Sequence, residues 1–193
     1  MAILKVARMG HPVLRANARP LEAGEIRSPA VQQLIDDMFE TMAEYQGVGL
    51  AAPQIHESVR LFVAGIPARS RDEQDEEDEE DEDGEDDDMP LIAMINPEIT
   101  PVGREMAEDW EGCLSIPDIR GRVPRPRSIV VRGYDRKGKR MELKASGFSA
   151  RVMQHETDHL DGVLFFDRMK SFETLTFLDE FGRYWSRRDV REE

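Results

Sequence analysis

The 193-residue sequence predicts a single α+β domain: mostly antiparallel β-sheets packed around a central helix, with an N-terminal and a C-terminal helix beside them. Three observations carry that expectation. An early segment repeats its apolar residues at helical spacing. Several short runs rich in apolar and β-branched residues follow, without the interleaved helices that a parallel βαβ sheet requires. A late helical segment then sets charged residues behind an apolar run.

The first helix is expected from Ser28-Pro29, an N-cap followed by proline at the first helical position. Val31, Leu34, Ile35, Met38, Phe39 and Met42 recur at i, i+3, i+4, i+7, i+8 and i+11, a continuous core-facing stripe. The helix should end near Gly47, where GVGLAAPQI begins. Strands are expected at 59–64 (VRLFVA), 91–95 (LIAMI), 127–134 (RSIVVRGY) and 140–145 (RMELKA). Asp135-Arg136-Lys137-Gly138 has the turn chemistry to join the last two as a hairpin. The central helix should run from about Ser149 to Leu160 and stop at Gly162, a C′ glycine. A C-terminal helix is expected from about Phe172 to Arg188, with Leu175, Leu178, Phe181 and Trp185 on one side. Arg183, Arg187, Arg188 and Arg191 gather at its end.

The formal charge of −14 is local in origin. Residues 72–88, DEQDEEDEEDEDGEDDD, hold fifteen carboxylates and no Lys or Arg; without them the charge is +1. The acidity therefore does not describe a halophile-type surface. A tract that cannot bury itself is expected to form a disordered acidic insertion at about 70–89, read as a solvated spacer. A contact for a basic partner is the sharper alternative, and the sequence does not separate the two. No membrane span is visible, and MAILKVARMGHPVL lacks the apolar core of a secretory signal and the bias of a transit peptide. The lone Cys113 excludes an internal disulfide and fits a reducing cytoplasm.

Chemistry concentrates in QHETDHLDG at 154–162, which contains H-E-x-x-H: His155, Glu156 and His159. Histidines four apart on a helix lie about 40° apart around its axis, so both imidazoles reach one metal ion. That makes the expected central helix a metal-binding one. A third ligand is needed, and the residues alone leave several candidates. His11 and His56 are the other histidines, and Glu173 or Glu180 would serve as the downstream glutamate of a zinc endopeptidase. The metzincin extension is absent, because Phe165 stands where it needs a histidine. Cys113, among Gly112, Ser115 and Pro117 in an expected loop, offers a soft thiolate.

The ordered motifs GVGLAAPQ (Gly47 to Gln54), EGCLS (Glu111 to Ser115) and QHETDHLDG give the chain a specific likeness: it resembles the peptide deformylases. HPVLR at 11–15, INPEI at 95–99 and GVLFFDRM at 162–169 extend the resemblance over nearly the whole chain. It departs from the family in the acidic tract and at His56, where a glycine commonly follows AAPQI.

The resemblance implies Cys113, His155 and His159 as ligands of one divalent metal ion, with Fe2+ the expected metal and Zn2+, Ni2+ or Co2+ as substitutes. Three protein ligands leave a fourth position open, as catalysis needs. It implies Glu156 as general base and acid, and the Leu114 backbone N–H with the Gln54 amide as oxyanion donors. Gly47, Val48 and Gly49 would take an extended substrate backbone, with Val48 and Val152 near the methionine pocket. The implied substrate is the N-formylmethionine end of a nascent polypeptide, with formate and a free amine as products. The ribosome is a further candidate partner through the arginine cluster, for which a solvated, dipole-complementing helix end is the preferred reading. Neither a membrane nor sequence-specific nucleic acid binding is expected. A metal-stabilised interaction module closed by His11 or His56 remains the non-enzymatic alternative.

Overall fold

A computed structural model describes residues 2–66 and 89–186. The core is a five-stranded antiparallel sheet clamped between two helices. Its strands are β1 (Gly49–Ala51), β2 (Leu61–Ala64), β3 (Ile92–Pro101), β6 (Ser128–Tyr134) and β7 (Arg140–Ser146), in the order β1-β2-β3-β6-β7. The period of two decides which helix each residue meets. Leu61 and Val63 on β2, with Ala93 and Ile95 on β3, pack under α2 (Pro29–Glu44). Phe62, Ala64 and Met94 point the other way, toward α3 (Gly147–Leu160). Covered on both faces, LFVA is buried at every position, which is why it reads as an unbroken apolar run.

The expected N-cap of α2 is present: the Ser28 side chain accepts from the Val31 N–H, with Pro29 at the first turn. A short α1 (Ala23–Ile26) precedes it, closed by a capping box between Glu22 and Glu25. The expected hairpin joins β6 to β7, and Gly138 takes a left-handed φ of 75° in its turn. Helix α3 begins at Gly147, two residues before the expected start, and ends at Leu160, capped by Asp161, with Gly162 at φ 71°. From Ala150 through Leu160 every residue of α3 is buried, polar ones included. A helix that hides Arg151 and Asp158 must bring partners for them.

Those partners come from a second sheet that leaves little trace in the sequence. Strands β4 (Met106–Cys113) and β5 (Ile116–Pro126) form a long hairpin, and β8 (Thr176–Phe177) pairs with β5 at Ile119 and Arg120. Charges and prolines make RGRVPRP resemble a loop, yet Pro124 and Pro126 lie where only β4 pairs with β5. The expected loop around Cys113 is thus a strand end and a two-residue turn, Leu114-Ser115, with Cys113 paired to Ile116.

Two further expectations are corrected. Strand β3 runs on to Pro101 through a bulge between Ile95 and Glu98, where Asn96 adopts φ 51° and its side chain bonds both the N–H and the C=O of Leu21. The C-terminal helix is shorter than 172–188: α4 spans Leu178–Tyr184, because Thr176 and Phe177 are drawn into β8. Phe181 and Trp185 pack edge-on against Trp110, as the stripe implied, but Leu178 is exposed. Arg187, Arg188 and Arg191 lie outside the described residues, as does the acidic tract, although Met89 at its expected end is buried core. No helix among the described residues is long and apolar enough to cross a membrane.

Candidate functional site

The end of β4 and the middle of α3 meet where the two sheets converge. Cys113 Sγ, His155 and His159 place one donor atom each within 4.8 Å of one another, with Sγ 3.3 Å from His159 Nε2. His155 Nδ1 lies 2.9 Å from Glu111 Oε2, so its Nε2 is the nitrogen left to face the other donors. Among the described residues no further His, Cys, Asp or Glu joins the group. His11 and His56 are exposed and meet edge to face, ring centroids 4.7 Å apart. Glu173 is exposed, and Glu180 pairs with Arg183. Cys113, and none of these histidines or glutamates, is the residue grouped with His155 and His159.

The donors suit a divalent cation. One thiol and two imidazoles are ligands that iron and zinc both accept. The His159 Nδ1 is buried without a hydrogen-bond partner. Burial pushes the His155 imidazole down, yet contacts with Cys113, Glu111 and the Glu156 charge prevail and hold it well above its ordinary value. Burial and then the neighbouring His155 charge hold the His159 imidazole well below its ordinary value, so the two rings are driven in opposite directions. Glu111, which orients His155, is itself firmly anchored. Burial pushes its carboxyl up, but hydrogen bonds from Arg125 and His155 outweigh that and hold it below the usual carboxylate range. Arg125 grips it with Nε at 2.5 Å and Nη2 at 2.9 Å, and turns Nη1 to Asp158 on α3 at 2.8 Å. Arg168 closes the chain on Asp158 at 2.7 Å. A carboxylate that orients a ligand imidazole is the usual supporting shell of a metal site.

Glu156 is 4 % exposed, and its Oε2 has no hydrogen-bond partner. Burial lifts its carboxyl to about 7. The Gly49 backbone lies against this side chain; a Cβ there would overlap the carboxylate and sit 2.7 Å from Cδ. Gln54 is buried, its Oε1 accepting from the Ala51 N–H at 2.8 Å. Its Nε2 donates to Ser115 Oγ at 3.3 Å and approaches Cys113 Sγ at 3.6 Å. It therefore braces its own turn and faces the cluster at once. Leu114 follows Cys113 directly, its side chain packed where a Cβ on Gly47 would come within 2.9 Å. Gly49 opens β1, an outer strand of its sheet, and Val48 beside it is 36 % exposed. All nine expected site residues thus fall in one region. The buried Arg125, Arg151 and Asp158 behind it were not expected; Arg151 and Asp158 carry the signal of charge inside an expected buried helix, whereas Arg125 sits in a loop-like stretch and carries none.

The family model for polypeptide deformylase matches residues 3–174. The chain belongs to the peptide deformylase family. Peptide deformylase 1 of Bordetella pertussis is 44 % identical over 165 residues, 86 % of each chain. A Met-Ala-Ser-bound peptide deformylase from Acinetobacter baumannii superposes with TM-score 0.74 at 38 % identity, covering 87 % of this chain and 99 % of that one. The Thermotoga maritima peptide deformylase gives 0.74 at 34 % identity, covering 89 % and 100 %. Deformylation of N-formylmethionine peptides is the activity of this family, and the chain is an enzyme of that kind.

Proposed function

We propose that Cys113, His155 and His159 hold one divalent metal ion on α3, and that the formyl group of an N-formylmethionyl nascent polypeptide is hydrolysed beside it. The observation that carries this reading is the meeting of the β4 thiol with the α3 imidazoles, with Gln54 Nε2 and an unpartnered Glu156 oxygen at the same place. When bound, the ion supplies Lewis acidity and makes water a nucleophile near neutral pH. Ferrous iron is the proposed metal, with zinc, nickel or cobalt as substitutes.

The chain's own residues supply the rest. Glu156 takes the proton from the attacking water and returns it to the departing amine, a role suited to a carboxyl lifted into the neutral range. The Gln54 amide and the Leu114 backbone N–H donate to the oxyanion that develops on the formyl oxygen as water adds to the formyl carbon. Removing one such donor typically costs about 3 kcal/mol of barrier. Gly47, Val48 and Gly49 receive the extended peptide along the outer side of β1, where unpaired backbone groups favour an added strand. Val48 and Val152 border the methionine side chain. A reducing cytoplasm fits both this substrate and a cysteine ligand, and the substrate brings the enzyme near the ribosome.

Anaerobically purified, metal-loaded protein should release formate from formyl-Met-Ala-Ser; a fully loaded protein that leaves the peptide intact refutes the activity. Glu156→Ala should keep its metal and lose about 10²–10⁴-fold in turnover. Cys113→Ser should lose metal during dialysis, and a normal metal content in that variant would remove Cys113 from the ligand set.

A further inference from the structure

The three donors come from two segments far apart in sequence, so something must fix the distance between those segments. Cys113 ends β4, and Glu111, two residues earlier, shares its face of the strand. His155 lies on α3, and Arg151, one turn earlier, shares its side of the helix. These two supporting residues meet: Arg151 Nη1 donates to Glu111 Oε1 at 2.7 Å. The same guanidinium donates to the Val123 carbonyl on β5 at 2.8 Å and to the Ala107 carbonyl on β4 at 2.9 Å. Arg151 is only 6 % exposed. A charge so far from water persists only when its partners are complete, and a planar fork of five donors is the one side chain that reaches a helix-facing carboxylate and two strands together.

The position of this tie gives it its consequence. Arg125 bonds Asp158 on α3 after His155, whereas Arg151 bonds the hairpin one turn before it. The helix is thus pinned to β4 and β5 on both sides of the first histidine. The Glu111 carboxylate receives Arg125 and Arg151 on Oε1, and Arg125 and His155 on Oε2, which leaves it no freedom to turn.

We infer that Arg151 is a positioning residue for the metal centre: it locks α3 to the β4–β5 hairpin and holds Glu111 so that His155 presents Nε2 toward Cys113 and His159. This rests on the reading of those three residues as metal ligands. The test compares zinc release into excess chelator from loaded wild type, Arg151→Met, Arg151→Lys and Met38→Ala, at a temperature where all are folded. Met38 is a fully buried residue on the core-facing side of α2, and its truncation lowers stability without touching the centre. Release should be about 10–100-fold faster from the Arg151 variants than from wild type, and unchanged in Met38→Ala. Cobalt-loaded Arg151→Lys should also show altered thiolate charge-transfer absorption. Should Arg151→Met fail to fold, Arg151→Lys carries the same comparison. Release from the Arg151 variants at the Met38→Ala rate overturns the inference. A wild type that takes up no zinc or cobalt overturns the metal assignment instead.

Discussion

Glu156 and Gly49 illustrate what a single position does here. A buried carboxyl with one oxygen lacking a partner is costly to the fold, and its seat exists because residue 49 has no side chain. Gly49→Ala should therefore damage catalysis more than folding. Overpacking of this kind costs about 1–3 kcal/mol, but the atoms displaced are those of the proposed base. Formate release should fall by at least about tenfold while the far-ultraviolet circular dichroism stays that of wild type; unchanged turnover would mean Glu156 is not the base. At this scale the motifs and the family resemblance named the residues that the structure gathers into one region. They did not name Arg151, Arg125 or Asp158, because a charged residue in a sequence looks alike whether it faces water or a buried partner.

Among the elements, α3 depends on its ends. Gly162 has φ 71°, and a Cβ on it would lie 2.7 Å from the Arg15 carbonyl oxygen. Gly162→Ala should cost about 1–3 kcal/mol through left-handed strain and backbone overlap, lowering the melting temperature by about 2–4 °C per kcal/mol. Helix α1 offers a pH test. The hydrogen bond from Arg19, then the Glu22 N–H, lowers the Glu25 carboxyl from 4.5 to about 2. A lowered folded value stabilises above the unfolded one and is lost as pH falls through the folded one. Wild type and Glu25→Gln should therefore differ in melting temperature at neutral pH and converge as pH drops from 4.5 toward 2. A constant difference would remove the ion pair as its source. Elements with a period were legible: α2, α3 and the β6–β7 hairpin came within about three residues of expectation. The β4–β5 hairpin was not, since its stability comes from pairing and from buried arginines, and neither leaves a repeat in the sequence.

On the scale of the whole molecule, the proposed metal would join the helix to the second sheet and so contribute to folding as well as chemistry. A ligand that binds only the folded state, present at 100 times its dissociation constant, adds about 2.7 kcal/mol. Chelation should lower the melting temperature of wild type by several degrees and that of Cys113→Ser much less. Equal shifts would show that Cys113 does not contribute to that linkage.

By itself the sequence determined what is local: helix and strand periods, cap and turn residues, the pair of imidazoles on one helical side, and three motifs specific enough to indicate a family. The tertiary structure alone decided which distant side chains become neighbours. Cys113 and His159 are 46 residues apart in sequence and 3.3 Å apart in space, and four buried charged residues behind them, Glu111, Arg125, Arg151 and Asp158, pair away from water. Such contacts arise from long-range packing of two sheets on one helix, and no stretch of neighbouring residues records that packing.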